Sequence, residues 1–121
     1  MEQKYINGDV VMYDNKIMVV KEPRDGSHFD LSCPKEGLVY CFVSVDDIKP
    51  IPLTPEILEK NEWKKLYEKF FEKNVNNIRL TIEFSENIYV AINRIFIMEI
   101  HYIHELQHLL FGLGLNSEME V

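Results

Sequence analysis

Ile78-Arg79-Leu80-Thr81-Ile82-Glu83-Phe84 alternates apolar and polar residues without a break. That is the period of a β-strand with one buried face, and it puts Ile78, Leu80, Ile82 and Phe84 together against a core. Ser85-Glu86-Asn87 can turn the chain back into a second strand over Ile88 to Ile92, and Ile95 to Met98 can add a third. From about residue 99 the period changes to that of a helix. Tyr102, Ile103, Leu106, Leu109, Leu110 and Leu113 fall on one arc, whereas His101, His104, Glu105 and His108 fall on the other. Gly112 and Gly114 close this helix, and Asn116 to Val121 reads as a frayed end. The polar arc has the composition of a solvated face.

Upstream, Thr54-Pro55-Glu56 has the chemistry of a helix start: a hydroxyl N-cap, a proline at the first helical position and an acid in the first turn. Residues 61–73 read both as a continuation of that helix, through the spacing of Trp63, Leu66, Tyr67 and Phe70, and as a new element starting at Trp63. Lys49-Pro50-Ile51-Pro52-Leu53 is a linker, because two residues without amide donors interrupt a strand ladder. Before it lie short apolar runs at Val10 to Tyr13, Ile17 to Val20, His28 to Ser32 and Leu38 to Val45, separated by Asp14-Asn15-Lys16, Arg24-Asp25-Gly26-Ser27 and Pro34-Lys35-Glu36-Gly37. The expected fold is therefore α+β: a small SH3-like β-barrel over 1–49, then an α+β lobe over 50–121. That second lobe has a helix from 55, an antiparallel sheet over about 78–98 and a C-terminal helix over about 99–112.

The chain has 121 residues, 46% apolar and 27% charged, which suits an ordinary globular domain. Its formal charge of −7 divides as −3 over 1–50, zero over 51–77 and −4 over 78–121. With 13 basic residues against 20 acidic ones, it lacks the cationic face that phosphate binding requires, which speaks against nucleic acid as a partner. The first residues lack a secretory pattern, and Asn93, Arg94, Glu99, His101, Glu105 and His108 interrupt the most apolar stretch, so neither export nor membrane insertion is expected. Cys33 and Cys41 form no CxxC pair and read as free thiols of a cytoplasmic protein. Asp46-Asp47 reads as a solvated turn rather than a cation site.

His104-Glu105-Leu106-Gln107-His108 is a formal HExxH. Spacing of four residues sets two imidazoles on one helical face, where His104 and His108 could share zinc with Glu105 as general base. This makes a zinc-dependent metalloprotease-like hydrolase the alternative reading. A catalytic zinc needs a third protein ligand. His101 lies about 10 Å along the helix from His108. Glu118 and Glu120 stand in the expected frayed end, His28 belongs to the other lobe, and the HxxGxxH continuation is absent.

Three landmarks stand in order along the chain: Gly8-Asp9-Val10-Val11-Met12-Tyr13-Asp14, Ile48-Lys49-Pro50-Ile51-Pro52-Leu53-Thr54 with Glu56-Ile57-Leu58, and Ile100-His101-Tyr102-Ile103-His104-Glu105-Leu106-Gln107. In this order the chain resembles a family of uncharacterised small proteins of Bacteroides-type bacteria and their phages or mobile elements. The resemblance implies a similar architecture and no chemistry. The closing helix of that family carries a pattern like His-x-Leu-Gln-Asn-Leu, so Glu105 and His108 would be departures that complete HExxH.

The leading expectation is a non-catalytic protein-interaction module, with neither catalytic nor cofactor-binding residues. Tyr5, Tyr13, Phe29, Tyr40 and Phe42 could line a peptide groove, although aromatic residues at strand spacing more often belong to a core. Phe70, Phe71, Leu110 and Phe111 are more large apolar groups than one face needs, which suggests a homodimer.

Overall fold

Alternation and turn chemistry sort the chain into two antiparallel sheets in a computed structural model that describes residues 5–121. The first sheet contains β1 (Val10–Tyr13), β2 (Lys16–Asp25), β3 (His28–Cys33), β4 (Leu38–Ser44) and β5 (Lys49–Pro50), in the order β4-β3-β2-β1-β5. After α1 (Pro55–Lys60), the second sheet contains β6 (Lys64–Tyr67), β7 (Phe70–Val75), β8 (Ile78–Phe84), β9 (Ile88–Ile92) and β10 (Ile95–Ile100), in the order β10-β9-β8-β7-β6. Helix α2 (Ile103–Gly112) follows. The first sheet ends at β4 on one side and β5 on the other, so its strand pairing does not close a barrel among the described residues. No helix is long and apolar enough to cross a membrane.

Three hairpins rest on two-residue turns in which both residues have positive φ: Asp14-Asn15, Asn76-Asn77 and Asn93-Arg94. This backbone matches the twist of the flanking strands, and Asn or Asp tolerates it best among non-glycine residues. Arg94 follows Asn93, whose side chain accepts a hydrogen bond from the Arg79 amide at 2.9 Å. Thr54 caps α1 by accepting from the Ile57 amide. The helix stops after Lys60, with Glu62 in the left-handed region at φ 68°.

The helical reading of residues 61–73 is thus corrected. The spacing of Trp63 and Phe70 imitated a helix, but β6 and β7 form a hairpin whose Phe71 faces the core at 1% exposure. The start of the last helix is corrected as well. Glu99 and Ile100 complete β10, where Ile100 pairs with Ile88, and the helix begins only at Ile103. Its end is a Schellman motif: Gly114, at φ 74°, donates to Phe111 O, and Leu115 donates to Leu110 O. The linker lies at sheet edges, where proline is tolerated. Pro50 pairs with Val11, and Pro52 bridges to Tyr102 while Ile51 O and Leu53 N take the flanking hydrogen bonds. The tail is held, not frayed: Asn61 bonds the backbone of Glu120 in both directions, and Met119 and Val121 pack on the core.

Two apolar clusters result. One gathers Tyr5, Val11, Met18, Val20, Phe29, Leu31, Cys33, Val43 and Ile48 inside the first sheet. The other gathers Val10 with Leu58, Trp63, Phe71, Leu80, Ile82, Val90 and the apolar arc of α2. Successive side chains of a strand point to opposite faces, so β1 feeds both clusters, Val11 one and Val10 the other.

Leu106 is fully buried, and Leu106→Ala is expected to cost about 2–5 kcal/mol through lost burial and a residual cavity. Phe111, one turn on and 66% exposed, is expected to change stability by less than about 0.5 kcal/mol as Phe111→Ala. Urea unfolding of the two variants checks the contrast, which inverts if the helix faces the other way.

Candidate functional site

The HExxH stretch sits where α2 meets β1. Its polar arc is solvated only in part: His101 is exposed as the sequence suggested, but His104 is 6% exposed, and Gln107, which the sequence did not single out, 2%. Gln107 Oε1 accepts from the Val10 amide at 2.8 Å, and its Nε2 donates to Gly8 O at 2.9 Å and Ser117 O at 3.0 Å. A single amide group therefore ties the helix to the first strand and to the C-terminal tail. The Val10 amide points away from β2 and would otherwise be a buried orphan.

Each residue of the motif is engaged within the chain. Glu105 Oε1 accepts from the backbone amides of His101 and Tyr102 at 2.8 and 2.9 Å, satisfying donors ahead of the first turn. His108 Nε2 donates to Asp9 Oδ2 at 2.7 Å, and that carboxylate, 1% exposed, also accepts from the Ile6 amide. The hydrogen bond to Asp9 raises the His108 pKa above its usual value against the opposing effect of burial, with smaller help from the Asp9 and Glu105 charges. The His104 ring packs on Tyr5 at 5.0 Å between centroids, Tyr102 at 5.9 Å and His108 at 5.5 Å. Burial first, and then Asp9, pushes the Tyr5 phenol up to about 12. His101 Nε2 lies 3.2 Å from Glu99 Oε2 at the surface, and His28 belongs to the first sheet. Among the described residues, no three His, Cys, Asp or Glu side chains are grouped so as to hold a metal ion.

The aromatic residues of the first sheet divide sharply. Tyr5 and Phe29 are fully buried and meet edge to face, and Tyr13 and Tyr40 form a half-buried pair against the same cluster. Phe42 differs on every count. It is 58% exposed, lies on the edge strand β4, and holds φ 57°, a region a bulky side chain rarely adopts. Its amide donates to Asp30 Oδ1 at 2.9 Å, and Asp30, buried, is gripped on its other oxygen by Arg24 at 2.6 Å. The Arg24 guanidinium first, and the Phe42 amide second, hold the Asp30 carboxyl below its usual pKa. The Phe42 ring stacks on His28 with centroids 4.2 Å apart and planes 13° off parallel. His28 Nδ1 in turn lies within 3.2 Å of both Asp25 and Ser27 Oγ, and the Ser27 amide, then His28, keep the Asp25 carboxyl down at about 2. Sequence alternation placed Phe42 in a strand, but no signal there marks its backbone as left-handed.

Replacing Gln107 by leucine is expected to cost about 1–3 kcal/mol, because the Val10 amide loses its acceptor inside the protein. The His108–Asp9 pair predicts a pH signature. A folded-state pKa raised above the unfolded value of about 6.5 gives a contribution fully present below that value and lost as pH rises through the folded one. The stability advantage of the wild type over His108→Gln should therefore shrink from about pH 6.5 upward; an advantage that is flat or grows with pH contradicts the pairing. Comparison of the chain with protein-family models, curated proteins and solved structures finds no match.

Proposed function

We propose that the protein is a non-catalytic interaction module. Its first lobe acts as an SH3-like unit, and the Phe42–His28 stack, beside the free edge of β4, receives an extended peptide segment. The observation that supports this reading most is Phe42. A left-handed backbone at a non-glycine residue costs about 1–3 kcal/mol and persists only where the surroundings over-determine it. Here Asp30 and Arg24 hold the strand in that shape, and the shape turns a large aromatic ring outward onto an imidazole. The ring takes no part in the first apolar cluster. Left-handed Phe42 interrupts regular pairing along this edge, so the exposed flat ring, rather than a continuous ladder, supplies the seat for a side chain of the segment.

The HExxH stretch fits the same reading as an internal fastening. Glu105 is spent on backbone amides, His108 on Asp9, and the neighbouring Gln107 on β1.

Selection of a displayed random peptide library against the purified protein tests the proposal. The wild type is expected to enrich a consensus, and Phe42→Ala to weaken the selected peptides at least about tenfold, the loss of a central aromatic anchor. No enrichment, or peptides indifferent to Phe42→Ala, overturns it. Strain held for binding also predicts an unusual stability result. Phe42→Gly relieves about 1–2 kcal/mol of backbone cost and forfeits about 0.5–1.5 kcal/mol of ring stacking, so its stability should remain within about 1 kcal/mol of the wild type. Val39→Gly on the same strand has no such relief and should lower the denaturation midpoint in the ordinary way.

A further inference from the structure

An antiparallel sheet that packs one face on a core and turns the other to water carries polar residues on the wet face. The first sheet departs from this in β2. Met18 and Val20 enter the first apolar cluster, yet Ile17 and Val19, which point to the opposite face, are apolar as well. Val10, paired with Val19, lies on that face too and is covered by the second cluster. Ile17 and Val19 are only half-buried, and Val19 belongs to neither cluster. The C-terminal tail stands beside them: Met119 and Val121 pack toward the second cluster, while Asn61 and Gln107 hold the backbone of Glu120 and Ser117. Sheet and tail leave between them a cavity of about 530 Å³, where the two lobes meet.

Cavities of about 300–1,000 Å³ with apolar walls and a few polar groups are the usual form of a small-molecule site, and junctions between lobes are a usual place for one. The walls here are aliphatic. Val10, Ile17, Val19, Pro34, Met119 and Val121 line the cavity, and no aromatic ring is among its described residues, so a planar ring finds nothing to stack on. Three charged side chains complete the lining: Lys35 from the turn between β3 and β4, Lys60 from the last turn of α1, and Glu120. Both lysines are exposed, and neither ammonium group has an ion-pair or hydrogen-bond partner among the described residues. Two ammonium groups against one side-chain carboxylate leave a single positive charge in excess beside an aliphatic wall.

We infer that this cavity is a binding site for an aliphatic monocarboxylate. Its hydrocarbon chain lies against Ile17 and Val19, and its carboxylate meets Lys35 and Lys60. An amine of the same length sets its charge against two ammonium groups, and an alcohol leaves both without a counter-charge. No residue of the Phe42–His28 stack lines the cavity, so this site and the proposed peptide seat can each fail without the other.

Titration of the full chain with octanoate, octan-1-ol and octylammonium, followed amide by amide in ¹H–¹⁵N correlation spectra, tests the inference; the same spectra show whether each variant is folded. Octanoate should give saturable shifts at Ile17, Val19, Lys35 and Met119. The alcohol should bind at the same place at least about tenfold more weakly, the worth of about two exposed ion pairs, and the ammonium ion more weakly still. Lys35→Glu combined with Lys60→Glu changes exposed positions alone and should remove that advantage of the acid while leaving the alcohol unchanged. Val19→Trp fills the cavity and should abolish binding of acid and alcohol alike, whereas Phe42→Ala should alter neither. Absence of saturable shifts, shifts centred elsewhere, equal affinity for acid and alcohol, or octanoate binding indifferent to the two lysines would each overturn the inference.

Discussion

The amide of Val10 has no partner in its own sheet, and the structure depends on what accepts it. Gln107 does, from a helix 97 positions later in the chain, while donating to Gly8 O on the same segment. The bond matters because β1 serves two cores: Val11 packs inside the first sheet and Val10 against the second. A strand shared in this way needs its backbone satisfied from the side that faces away from β2. Helix α2 performs that task with Gln107, and His108, one residue on, adds a side-chain bond to Asp9. Capping by Glu105 starts the helix where those side chains reach β1.

This arrangement assigns physical work to a stretch whose spelling suggests chemistry. A zinc-dependent hydrolase would need both histidines and a third group directed at one point, with the glutamate turned toward a water. Here the glutamate turns back to the backbone ahead of its own helix, and one imidazole turns to a buried aspartate. What remains unspent lies elsewhere. The outward ring of Phe42, on a left-handed backbone in the edge strand β4, belongs to none of these contacts.

Much of the fold was legible in the sequence. Strict alternation identified β8, and Thr54-Pro55 identified the start of α1, because both signals are local and strong. The apolar arc of α2 was legible too. On its polar side His104 was misread as solvated and Gln107 was overlooked: amphipathic pattern separates apolar from polar side chains but does not distinguish a solvated polar side chain from one buried against another segment. Trp63 and Phe70 fell at helical spacing by coincidence, and the β6–β7 hairpin became visible only through pairing with β8, a non-local contact. Asn76-Asn77 and Asn93-Arg94 were turn signals available to a closer reading. Phe42 was not available: phenylalanine is among the residues least expected at positive φ, and the cause lies in Asp30 on the neighbouring strand.

Native-state hydrogen exchange at the Val10 amide tests the central claim most directly. If Gln107 fastens the two sheets through β1, that amide should exchange only by global unfolding, with the same free energy as the amide of Leu80 in the middle of the second sheet. Exchange of Val10 through a local opening, while Leu80 stays protected, would show that the helix and the first strand part freely and would contradict the account.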